Sequence, residues 1–110
     1  MKTGIELIKD ERERQISIKG WTPEHDDCHF HGEMIDAGLC YIYAGINIDH
    51  LAMKNPPGEW PWGSHWWKPS NSRIRNLAKA GALIAAEIDR INRFKAIDKD
   101  LAYLGRSTKK

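Results

Sequence analysis

The stretch SRIRNLAKAGALIAAEIDRINRF, residues 72–94, places Ile74, Leu77, Gly81, Ile84, Ile88 and Ile91 three and four residues apart, the spacing that lines side chains along one stripe of an α-helix. This periodicity predicts a helix from about Ser72 to Phe94 with those residues as its packing seam. Ala78, Ala80, Ala82, Ala85 and Ala86 keep its other sides small, so neighbouring elements can approach on more than one face. The helix is therefore expected to be the central packing element of a mainly α-helical fold. Ile97, Leu101 and Leu104 predict a further short helix stopped by Gly105.

Towards the N-terminus the helical signals continue. Thr3-Gly4-Ile5-Glu6 has the spacing of a capping box. The helix it starts should present Ile5, Ile8, Arg12, Gln15 and Ile16 on one face, keep the charges of Glu11-Arg12-Glu13-Arg14 largely solvated, and end at Gly20. Thr22-Pro23 reads as an N-cap followed by proline at the first helical position. A third helix is predicted from about Gly32 to Ala44, with Met34, Ile35, Gly38, Tyr41 and Ile42 as its stripe and Glu33 and Asp36 near the favourable end of the helix dipole. Between Gly45 and Asn71 no period persists, apart from a candidate short helix at Ile48 to Met53. A structureless stretch of that length in a small domain points to a functional loop.

Length and composition set limits on function. The 110 residues suffice for one domain, expected over 1–104, followed by a basic flexible tail at 105–110. A net charge of +2 is too small for bulk nucleic-acid binding. Cys28 and Cys40 make no disulfide framework, and no stretch reads as a secretory signal or membrane span, so a cytoplasmic protein is expected.

Four of the five tryptophans, Trp60, Trp62, Trp66 and Trp67, fall in a segment broken by Pro61, Gly63 and Pro69. Those indoles must be buried against the fold or against a ligand. The fifth, Trp21, opens a second dense segment with His25, Asp26, Asp27, Cys28 and His29. Lys68, Arg73, Arg75, Asn76 and Lys79 follow the tryptophans at the start of the long helix, an arrangement suited to an anion, with indole faces available for a base. The other reading has these cations covering the aromatic core through cation–π contact. His25 and His29 at i and i+4 could share a metal, but the flanking residues complete no recognised ligand motif, and no metal or cofactor is expected. Glu33 and Asp36 match the ExxD half of the signature of magnesium-dependent nucleotide pyrophosphohydrolases, which would also draw on Asp26 or Asp27. Helix-terminal acids complementing the dipole are the simpler account.

The series Glu11-Arg12-Glu13-Arg14-Gln15, Gly20-Trp21-Thr22-Pro23-Glu24-His25-Asp26-Asp27, Trp60-Pro61-Trp62, Trp66-Trp67-Lys68-Pro69 and Arg75-Asn76-Leu77 with Lys79-Ala80 resembles a family of small phage and prophage proteins of unassigned function. It is more faintly similar to the ryanodine-receptor-type domain, with the Glu33 to Ala44 helix inserted before the Pro-Trp element. The second resemblance implies a sensor of nucleotides or their derivatives, and the first a host-cell setting. The expectation is thus a small helical domain with a long ordered Trp/Pro-rich loop. Its role would be non-catalytic binding of a small phosphorylated nucleotide-like ligand, as in a phage protein that sequesters a host nucleotide immune signal. A magnesium-dependent hydrolase and a host-protein-binding module are the alternatives, and a homo-oligomer is a further expected partnership.

Overall fold

Thr3 starts the first helix as its spacing predicts. Its hydroxyl accepts from the Glu6 N–H at 3.2 Å while the Glu6 carboxylate accepts from the Thr3 N–H at 2.8 Å, satisfying two end donors reciprocally. The computed structural model describes residues 1–46 and 55–105, with side chains of 1–46 and 55–95. The candidate helix at Ile48 to Met53 and the tail beyond Gly105 lie outside the described residues. Within them are four α-helices, α1 (Gly4–Ser17), α2 (Pro23–Asp26), α3 (Glu33–Ile46) and α4 (Arg73–Gly105), together with a 3-10 turn at Ser64–Trp66 and no strand. No helix among them is long and apolar enough to cross a membrane.

The fold is mainly α-helical, and α1, α2 and α3 all pack on α4. Helix α4 is longer than predicted: the segment with Ile97 and Leu101 continues it to Gly105 rather than forming a separate helix. Its packing face is also different. Ile74, Leu77, Ile84, Ile88 and Ile91 are between 39% and 64% exposed, while Asn76, Ala80, Leu83, Ala86, Glu87 and Arg90 are buried. The alanine-rich sides win because small side chains let two helices come close to α4 at once, which a row of isoleucines would prevent. Gly45 of α3 meets Leu77, and Gly81 of α4 meets Ile8, so closely that a Cβ at either would lie 2.6 Å from its neighbour's carbon.

Two other predicted faces shift as well. In α3 the buried stripe is Met34, Ala37, Gly38, Cys40, Tyr41 and Ala44, with Ile35 exposed and Ile42 only partly covered. In α1 the buried residues are Glu11 and Gln15, whereas Ile5 is 81% exposed. The charges read as solvated are therefore partly internal. Glu11 is held by Arg14 at 3.1 Å with Arg75 at 3.7 Å, and Arg12 donates to Asp26 at 2.7 Å.

The chain after the tryptophans is strapped to the helices by side chains standing in for a second strand. The Tyr41 hydroxyl accepts from the Lys68 N–H at 3.2 Å and the Lys79 ammonium donates to the Lys68 carbonyl at 2.7 Å. One residue beyond Pro69, the Asn76 amide accepts from the Ser70 N–H at 2.7 Å and donates to its carbonyl at 3.0 Å. The backbone groups of an irregular segment thus find partners without a sheet.

Candidate functional site

The 3-10 turn divides the tryptophans into two sets. Trp67 is buried 4.8 Å from Tyr41 and 5.0 Å from Trp60, which also stands edge-on to Tyr41 at 5.8 Å. The Trp60 indole N–H donates to the Gly63 carbonyl at 3.0 Å and so closes the Pro-Trp turn. Trp67 belongs to the core and Trp60 is partly buried against it, and neither lines the cleft formed by the other tryptophans. Trp66, one residue along, is 50% exposed.

Trp21, Trp62 and Trp66 enclose with His25, His29 and Gly63 an aromatic cleft of about 290 Å³. Trp21 and His25 present parallel planes, 5° apart in tilt with centroids 6.4 Å apart, and His29 meets Trp62 at 5.1 Å. The His29 imidazole is held below its ordinary pKa by burial and then by the neighbouring His25, so at neutral pH it offers one donor and one acceptor.

Helix α2 positions these imidazoles through its acids. Asp26 is 2% exposed and bound by Arg12 of α1, and Asp27 accepts from Arg93 of α4 at 2.7 Å, while Arg93 also donates to the Pro23 carbonyl at 3.2 Å. Asp26 and Asp27 therefore brace the cleft rather than line it. Among the described residues no three His, Cys, Asp or Glu side chains gather as a metal-ligand set. Glu33 instead accepts from the His31 N–H at 2.7 Å, and the Cys28 thiol faces the Glu24 carbonyl at 3.8 Å.

A second cleft adjoins the first and shares Trp21 and Trp66 with it. Its walls are Arg14, Gln15 and Lys19 of α1 and its turn, Tyr41 of α3, and Lys68 and Lys79, with Glu11 the one acid among them. The enclosed part is narrow, about 20 Å³, so an anion would sit at its mouth. Burial lowers the Lys79 pKa to about 8, and the Lys79 ammonium lies 5.4 Å from the Tyr41 ring centroid. Burial raises the Tyr41 hydroxyl to about 12. The Gln15 side-chain oxygen Oε1 and the Trp62 indole N–H are both buried without a hydrogen-bond partner, an arrangement that calls for a complementary group.

Of the polar residues predicted from the start of α4, only Lys68 and Lys79 reach this place. Arg73 donates to the Gly45 carbonyl at 2.6 Å, and Asn76 is 0% exposed with its amide committed to Ser70 and Ala44. Arg75 flanks a separate groove with Leu7 and Ile74 beside Glu11. Arg73, Asn76 and Arg75 thus line neither cleft, Arg75 reaching only Glu11 at the edge of the second. Arg14, Gln15, Lys19 and Tyr41 went unpredicted. The signal available for them was the closeness of Lys19 to Trp21 in sequence, with Gly20 between them at φ 74°, a left-handed turn that folds Trp21 back until its N–H donates to the Gln15 carbonyl at 2.9 Å. Comparison with protein-family models, curated proteins and solved structures finds no match for this chain.

Proposed function

We propose that the chain binds a small phosphorylated nucleotide-like ligand without transforming it, a planar base entering the aromatic cleft and its phosphate meeting the cations next to it. The observation that carries this reading is the shared wall: Trp21 and Trp66 border both the aromatic cleft and the cleft edged by Arg14, Lys19, Lys68 and Lys79. Indoles supply stacking surface for any base, and several cations around one acid favour an anion. The neutral His29, which lines the aromatic cleft, offers a contact for the polar edge of the base. Of the four carboxylates a magnesium-dependent hydrolase would draw on, Asp26, Asp27, Glu33 and Asp36, the first three are engaged otherwise, Asp26 by Arg12, Asp27 by Arg93 and Glu33 by a backbone N–H, which favours binding over hydrolysis. Taken with the resemblance to small phage proteins, the same site would suit the sequestering of a host nucleotide signal.

Indole fluorescence titrated with a purine nucleoside, its mono- and triphosphates, and inorganic phosphate tests the reading. Quenching should be strongest with the nucleotides. Trp66→Ala, at a half-exposed position, should weaken binding by roughly 10- to 100-fold, as loss of a base-stacking ring does, and leave the melting temperature near that of the parent. Equal affinity for nucleoside and nucleotide would remove the anion cleft from the site, and no response to any nucleotide would sink the proposal.

A further inference from the structure

The seam Ile74, Leu77, Gly81, Ile84, Ile88 and Ile91 alternates three- and four-residue steps as the strip of a coiled coil does, yet its aliphatic side chains lie 39% to 64% exposed. The strip is not isolated. Gly38 of α3 sits against Ile84 and Gly45 against Leu77, so the outer face of α4 continues onto α3, where Ile35 and Leu39 are each 38% exposed and Ile46 is 63% exposed. These side chains leave on the order of 700 Å² of apolar surface open, above the largest patch of a typical monomer, about 300–600 Å², and close to the roughly 800 Å² that each partner buries in a stable interface.

We propose that this face is the interface of a homodimer, α4 lying along α4 of a second copy about a two-fold axis. A two-fold interface requires one patch that complements itself, and this strip qualifies. The open side chains of the seam, Ile74, Leu77, Ile84, Ile88 and Ile91, are all Ile or Leu, with Gly81 between them covered by Ile8 of α1, so laying these positions against their own copies buries no charge. No residue of the seam lines either cleft, so the dimer does not rest on the ligand reading.

Sedimentation velocity of the full chain across the micromolar range should give twice the 12.6 kDa protomer mass. Ile88→Glu on α4 and, separately, Leu39→Lys on α3 should each raise the dimer dissociation constant by roughly a hundredfold or more, because a charge would be buried without a partner. Far-ultraviolet circular dichroism should stay unchanged, since both positions are exposed in the protomer. Should Ile88→Glu fail to fold, Leu39→Lys gives the same reading on the other helix. A wild-type chain that sediments as a monomer overturns the proposal, as does a dimer that persists in both variants or a monomer that gains mass only with a different protein.

Discussion

Asp26 and Arg12 show how much of this molecule rests on single charged side chains. Their contact is 2.7 Å, with side-chain exposures of 2% and 12%, so removing one partner strands the other in a poorly solvated place. Asp26→Ala should lower stability by about 3–5 kcal/mol, as breaking buried pairs does, and should also release α2 and the imidazoles it carries. Urea unfolding measures the loss, and a change under 1 kcal/mol would show that the pair is idle. Lys79 gives a pH signature. Burial holds it at about 8 in place of 10.5, so between those values the folded chain binds fewer protons than the unfolded one and stability rises with pH. Below pH 8 both states hold the proton and the cost of the buried charge is carried in full. Above pH 10 Tyr41, raised to about 12, keeps its proton only when folded and opposes the gain. Melting curves from pH 7.5 to 10 should therefore climb, and in Lys79→Met that climb should flatten. Anion affinity should fall over the same range as Lys79 loses its charge.

At the scale of elements, close approach rather than apolar periodicity decides which helix faces meet. Gly45→Ala and Gly81→Ala each place a carbon 2.6 Å from a neighbour, and each should cost about 1–3 kcal/mol by overpacking, even though alanine is the better helix former. A neutral or stabilising outcome in thermal melts would mean that Leu77 or Ile8 turns aside freely. By contrast Thr3→Ala removes a cap at an exposed end and should cost only about 1 kcal/mol. Helix caps and starts were legible in sequence at Thr3, Thr22 and Glu33 because they depend on residues within one turn. The straps from Tyr41, Asn76 and Lys79 to Lys68 and Ser70 were not, since Tyr41 lies 27 residues from its partner.

Over the whole molecule, the two clefts should act as one site of two chemistries. Nucleotide affinity should fall with added salt while nucleoside affinity holds, because only the first draws on the cations. Lys68→Ala and Trp66→Ala should then separate cleanly, the former reducing the salt dependence and the latter reducing affinity for nucleoside and nucleotide alike. Isothermal titration at low and moderate salt provides the check. If salt affects both ligands equally, the phosphate does not reach the Arg14, Lys19, Lys68 and Lys79 cluster.

The amino-acid sequence by itself determined that the chain is helical, where α1 and α2 begin, that residues 72–94 form the central helix, and that the indoles of the Trp60–Trp67 segment need burial or a ligand. These depend on caps, period and the need to bury indoles, all local or compositional. Only the tertiary structure decided that the aliphatic side chains of the Ile74–Ile91 seam stay half-exposed, that Trp67 is core with Trp60 packed on it while Trp21, Trp62 and Trp66 line a cleft, and that Arg14 and Lys19 stand beside that cleft. Periodicity identifies a stripe but not its partner, and with two stripes on one helix the choice falls to the side chains small enough for three helices to share the space.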